Sequence, residues 1–313
     1  MRLNREKSRA MPLGASVKNE LVRNRYLYLL LIPVLSYYLI FCYGPMFGLV
    51  IAFKQYNIGS GIMESPWVGF RYFKEFFSGI YFKRTFFNTL TFSFLDIIFG
   101  FPLPIIFALL LNELRGSVFK KSVQTATYLP HFVSMVVICG LIVDFFSTDG
   151  LISKLIEFFG GENKNYLAES KYFRAIYIGT NVWQSFGWNS IIYIAAIAGV
   201  DAELYEAAVI DGAGRFRQLI HITLAGILPT IMIMLILRMG QVMTVGYEKT
   251  ILLYSPRTYE VADTISSYVY RMGIEGSRYS YSAAVGMFQS VVNVIMLCLA
   301  NKISAKVSNV AIF

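Results

Sequence analysis

Residues 201–229 read DAELYEAAVIDGAGRFRQLIHITLAGILP, a charged and polar stretch that runs into an apolar one. Asp201 sits where an N-cap carboxylate would accept from the first free backbone N–H groups, and Glu203 follows in the first turn, where the helix dipole favours acid. Leu204, Ala207, Ala208 and Asp211 recur at helical spacing, so small side chains on one face let another surface approach closely. Gly212 and Gly214 tolerate left-handed backbone angles, which breaks the chain at Gly212 before Arg215 opens a second, basic segment. The spacing predicts two short helices with a turn between them. Taken by itself, the stretch also fits an amphipathic helix lying on lipid headgroups.

On both sides of it the sequence is membrane. A chain of 313 residues that is 56% hydrophobic and 15% charged, with a mean hydropathy of +0.55, cannot hide its apolar surface in a soluble core. Apolar runs of spanning length fall at roughly 26–53, 87–112, 123–146, 173–199, 219–243 and 282–303, each near the ~20 residues that cross a bilayer. The first is too long for a signal-peptide h-region and has no clear cleavage site after it; Pro33 and Pro45 are its candidate kinks. Seven Lys or Arg within residues 1 to 25 favour a cytoplasmic N terminus. Six crossings then return the C terminus to the same side and place 201–218 in the cytoplasm.

The net charge of +9 could suggest nucleic acid, but the basic residues are scattered among apolar runs, so anionic lipid is the expected partner and nucleic acid is not. Cys42, Cys139 and Cys298 lie far apart inside apolar runs and are expected to be packing residues, and His131 and His221 lack metal-ligand neighbours. The aromatic stretch between Lys54 and Phe86 is expected as an interfacial belt or short amphipathic helix on the outside, and a further short helix is expected at 151–159. No Walker A, G-x-S-x-G or H-E-x-x-H pattern occurs in the sequence.

Glu206-Ala207-Ala208, then Gly212, Ile222-Thr223-Leu224 and Pro229, resembles the EAA loop of permease subunits of ABC import systems. YGPMFGLVIAFKQYN at 43–57, SPWVGFRYF at 65–73 and TYLPHFVSMVV at 127–137 resemble the branch serving complex oligosaccharides of the aldouronate or pectin-fragment type. Where the family usually carries proline after ITL this chain has Ala225, so any kink there falls to Pro229. The resemblance implies an all-α polytopic membrane protein of six transmembrane helices, like a type I ABC importer permease, with both termini cytoplasmic. It implies a basic cytoplasmic tail at 1–25, one transmembrane domain at 26–303 holding the coupling loop at 201–218, and a second tail at 304–313. Glu206, Ala207, Ala208, Asp211, Gly212, Arg215 and Pro229 would couple to a cytoplasmic ABC ATPase dimer. The other implied partners are a second, non-identical permease and an extracellular substrate-binding protein. The chain itself would bind no cofactor, ATP being used by the ATPase.

Ionisable groups inside membrane spans are costly and mark candidate pathways. Thr89, Ser93, Asp96 and Gly100 share one face of the second run, Tyr177, Asn181, Gln184 and Trp188 one face of the fourth, and Ser282, Gly286, Gln289 and Asn293 one face of the sixth. Of these, Asp96, Asn181, Gln184, Trp188, Gln289 and Asn293, together with Arg238 on the fifth run, are the candidate substrate path. Such stripes also serve simply to pack helices. Arg238 either snorkels to the headgroups or pairs with Asp96 or Asp144. Two other readings stay open: an importer permease for a non-sugar solute, and a membrane-embedded transferase using Asp96 or Asp144.

Overall fold

The computed structural model describes residues 23–114, 116–308 and 310–312, so nearly all of the basic tail expected at 1–25 lies outside the described residues. Twelve of its helical segments are named here in chain order. They are α1 (Arg25–Phe53), α2 (Arg71–Ser78), α3 (Ile80–Glu113), α4 (Ser117–Tyr128), α5 (Met135–Phe146) and α6 (Leu151–Phe158). There follow α7 (Ser170–Ala198), α8 (Ala202–Ile210), α9 (Arg215–Met239), α10 (Tyr247–Leu253), α11 (Ile265–Tyr270) and α12 (Tyr279–Ser308). Among the described residues five runs are long and apolar enough to cross a membrane: α1, α3, Met135–Phe158, α9 and α12 as far as Lys306. The fourth expected span, α7, has 29 residues, about 40 Å of helix, but Lys171, Arg174, Asn181 and Gln184 dilute its apolar content.

The run expected at 123–146 is not one helix. Pro130 supplies no N–H, a 3-10 turn occupies Leu129–Phe132, and the chain restarts at Ser134, whose hydroxyl accepts from the Val137 N–H at 3.4 Å. Hydropathy misses such a break because the intervening residues stay apolar. Lys83 and Arg84 hide the true start of α3 for the opposite reason, lying on a helical first turn that a hydropathy window discards. The last helix runs to Ser308, into the stretch 304–313 expected as a tail.

Within α3 the regular ladder opens into a π turn at Asp96–Gly100, closed by the Phe101 N–H on the Asp96 carbonyl at 3.0 Å. Pro102 and Pro104 follow at once, and the widened turn accommodates their missing donors. A second π turn, Leu219–Leu224, lies inside α9 ahead of Ala225 and Pro229.

Three apolar clusters hold the bundle. Phe92, Ile138, Phe173 and Tyr177 join α3, α5 and α7. Phe76, Met243, Tyr268 and Tyr281 join α2, α11 and α12. Ile105, Leu109, Tyr193, Ile197 and Ile227 join the far halves of α3 and α7 to α9. A Cβ on Gly187 would lie 2.3 Å from the Thr127 carbonyl oxygen, so α7 crosses α4 in direct backbone contact that only glycine permits. The first part of α1 buries nothing among the described residues, and only its end, Phe47–Phe53 with the buried Ala52, packs against α12. Of the cysteines expected to pack, Cys139 sits in the first cluster while Cys298 is exposed.

Candidate functional site

Asp96 is brought inward by the π turn of α3. Its carboxylate accepts from Asn181 Nδ2 of α7 at 3.0 Å and pairs with Arg238 Nη2 of α9. A Cβ on Gly100 would lie 2.8 Å from Asp96 Oδ1, so glycine one turn on leaves room for the carboxylate. Of the two partners the sequence left open for Arg238, the structure selects Asp96. With Asn181 the pair links three helices; Asp96 is buried while the Arg238 side chain stays 44% exposed, so its charge-assisted bond is partly screened by solvent.

Two cavities meet at this pair. One, of about 400 Å³, is lined by Phe92, Asp96, Tyr177, Asn181, Arg238 and Lys249 among others. The second, of about 290 Å³, includes Asp96, Gly100, Ser185, Asn189, Arg238 and Gln241. Asp96, Arg238 and Gln241 line both, so they form a septum between the two spaces. The larger space lies toward the loop after α9, and the smaller runs beside the far end of α9 at Met234 and Leu237, against Pro104 of α3 and Tyr193 of α7.

Lys249 on α10 is a lining residue that the sequence reading passed over. It is 2% exposed, its Nζ donates to the Tyr177 carbonyl at 3.3 Å and stands 5.0 Å from the Tyr177 ring centroid. Among the described residues no carboxylate lies within ion-pair distance of it. Burial pushes its pKa down to about 8. The only sequence signal was a Glu-Lys pair just past an apolar run, which reads as ordinary loop.

Of the remaining stripe residues Ser93 also lines the larger space, and the others hold structure. Gln289 Nε2 donates to the Met243 carbonyl at 2.8 Å, and Asn293 accepts from the Met243 N–H at 2.8 Å and donates to Thr244 Oγ1 at 2.9 Å. Together they fasten the unwound chain that follows α9. Ser93 bonds the Val242 carbonyl, and Thr89 Oγ1 accepts from the Ile265 N–H at 2.9 Å. Gln184 is buried and lines neither cavity. Trp188 stacks on His131, with centroids 4.6 Å apart, away from the septum. A second buried acid, Asp263, is held by Arg84 at 3.1 Å and Arg271 at 2.6 Å, and pins the loop before α11 to α3.

At 201–218 the structure gives one short helix, α8, and the turn; the expected second short helix, Arg215–Gln218, is instead the opening of the long α9. Asp201 accepts from the Glu203 N–H at 3.0 Å. Gly212 has φ +72°, its N–H bonds the Val209 carbonyl at 3.1 Å and the Ala213 N–H bonds the Ala208 carbonyl at 2.8 Å, a paired closure that requires a left-handed residue. Gly214 does not share that role: its φ of −68° and ψ of 163° are extended, because it opens the next helix instead of closing the last. Glu206, Ala207, Asp211 and Arg215 are exposed and Ala208 half-buried. Leu204, Val209, Ile210 and Phe216 are uncovered beside them. Tyr205 Oη bonds the buried Thr223 Oγ1 at 2.9 Å, tying α8 to the base of α9. Pro229 lies inside α9, away from the exposed face of α8.

Residues 76–309 match the family described as "Binding-protein-dependent transport system inner membrane component". Protein LplB of Bacillus subtilis (strain 168) is 46% identical over 301 residues, 96% of this chain and 95% of that one. The polygalacturonan/rhamnogalacturonan transport system permease protein YteP of the same organism is 44% identical over 295 residues, 94% of this chain and 92% of that one. A chain from the solved structure of a bacterial ABC transporter involved in the import of the acidic polysaccharide alginate superposes with a TM-score of 0.86 at 41% identity, covering 94% of this chain and 99% of that one. The same match is found with the alginate transporter in complex with alginate pentasaccharide-bound periplasmic protein. The matched region takes in α3 to α12, the septum and the exposed 201–218 segment, and the chain belongs to the inner membrane components of binding-protein-dependent transport systems, the permease subunits of ABC importers.

Proposed function

We propose that this chain is one of two permease subunits of an ATP-driven importer, and that it passes oligosaccharides delivered by an external binding protein through the space on either side of the Asp96–Arg238 pair. The second permease is a similar, non-identical chain. The ATPase subunits dock on the face carrying Glu206, Ala207, Ala208, Asp211 and Arg215, and ATP is hydrolysed there and not on this chain. With α7 as the sixth crossing, both termini are cytoplasmic.

The observation that carries this reading is the septum: three helices converge on one paired charge with a cavity on each side. The oligosaccharide cargo is supported by the printed functions of relatives alike over nearly their whole length. Alternating access needs a closed point that opens, and an ion pair between helices can exchange partners without loss of packing. α8 sits on the base of α9, which carries Arg238 at its far end. A movement imposed at the ATPase face can thus reach the septum along one helix.

The test is uptake of labelled oligogalacturonates into vesicles holding the whole importer, with binding protein outside and ATP inside. ATP-dependent accumulation is expected. Import of amino acids, peptides or phosphate in its place would overturn the cargo, and modification of the sugar without the ATPase would overturn the transport reading. Single-cysteine probes should report Gly116 and Gly214 inside and Ser60 and Gly161 outside; Gly214 accessible only from outside would remove the docking face.

A further inference from the structure

We infer that the larger cavity is a subsite for a carboxylate on the transported sugar and that Lys249 is the cation that receives it. This rests on the oligosaccharide reading above and adds to it the charge of the substrate and the residue that selects it. Four charged side chains line the cavity: Asp96, Arg238, Glu248 and Lys249. Asp96 and Arg238 are taken up with each other. Glu248 shares the lining but is exposed, so solvent screens its charge, whereas Lys249 is buried. Lys249 is left, almost fully buried, with one donor on the Tyr177 carbonyl and the Tyr177 ring beneath it.

An ammonium has three donors, and a buried one without a counter-ion is strongly disfavoured. The Tyr177 contacts offset only part of that cost, since a carbonyl and a ring face carry no net charge. A sugar carboxylate entering the cavity would complete the site through a charge-assisted hydrogen bond. The volume of about 400 Å³ falls in the range of small-ligand sites, and Phe92, Tyr177 and Tyr247 supply apolar walls for the face of a pyranose ring. A neutral sugar would fill the same space and leave Lys249 unpaired. Such a site discriminates by the penalty on the wrong ligand as much as by attraction to the right one.

The experiment uses the complete importer in vesicles and reads two sugars on the same preparation: an oligogalacturonate, and the same oligosaccharide with its carboxylates methyl-esterified. For Lys249→Met and Lys249→Gln, the ratio of acidic to esterified uptake should fall by about tenfold relative to wild type, the loss of one charged hydrogen bond. A loss of assembled protein lowers both uptakes and leaves the ratio unchanged, so misfolding does not imitate the effect. A ratio that changes by less than about threefold in both variants, below what a charged bond contributes, would show that Lys249 only packs against Tyr177 and would overturn the inference. Wild-type vesicles that import neither sugar would instead overturn the oligosaccharide reading, and this inference with it.

Discussion

The 201–218 segment and the septum, to which the proposed function gives docking and passage, are built in opposite ways. The segment is local: the Asp201 cap, the Gly212 closure and the Gln218 side chain on the Ala213 carbonyl all join residues within a few positions of one another. The septum is distributed: Asn181 and Arg238 reach Asp96 across separations of 85 and 142 residues. A surface that must be recognised by another protein can be specified by a short run of backbone geometry. A closed point in a membrane passage must be able to open, so its parts sit on separate helices that can move apart.

Three substitutions sharpen that contrast. The largest effect is expected from Gly212→Val. A Cβ there meets nothing within 4 Å, so crowding is not the issue. The strain of a β-branched residue at φ +72°, of order 1 to 3 kcal/mol, should open the turn and misdirect α9 from its start. ATPase copurification should be lost while the chain remains inserted and paired with its partner permease; retained ATPase binding would break the claim that this turn sets the docking face.

Next is Asp96→Ala, which strips Arg238 and Asn181 of their partner. The expected cost is about 1 to 3 kcal/mol, held down because the Arg238 side chain is 44% exposed. The thermal midpoint in detergent should fall and uptake should be lost, with ATPase association intact. Normal uptake would remove the septum from the passage. The smallest effect belongs to Tyr205→Phe, which deletes one hydroxyl contact to Thr223 worth about 1 kcal/mol. Fewer sugars moved per ATP hydrolysed is the expected outcome; unchanged stoichiometry would mean α8 is held to α9 by packing alone.

The sequence revealed what is local. Asp201, Glu203 and Gly212 each act through neighbours in the chain, and their roles follow from residue type and position. Gly214 was overread because two nearby glycines look alike, yet only the one closing a helix needs a positive φ. Periodicity put Asp96, Asn181, Gln289 and Asn293 on inward faces but could not say what each would meet: Asp96 found both Asn181 and Arg238, and the last two found the unwound chain at Met243. The break at Pro130 and the buried Lys249 were illegible for a shared reason. Hydropathy averages over a window, whereas the break turns on one missing N–H at Pro130 and the burial of Lys249 on Tyr177 of a distant helix.

The most direct measurement of the division between docking and passage is a paired assay on Glu206→Lys and Arg238→Gln, scoring ATPase copurification and oligosaccharide uptake on the same preparations. Glu206 is exposed on α8, so reversing its charge should repel the ATPase surface and abolish both readings without touching the bundle. Arg238→Gln should keep the ATPase bound and lose uptake, because the septum no longer closes on Asp96. ATPase lost in both variants, or uptake normal in Arg238→Gln, would contradict the account.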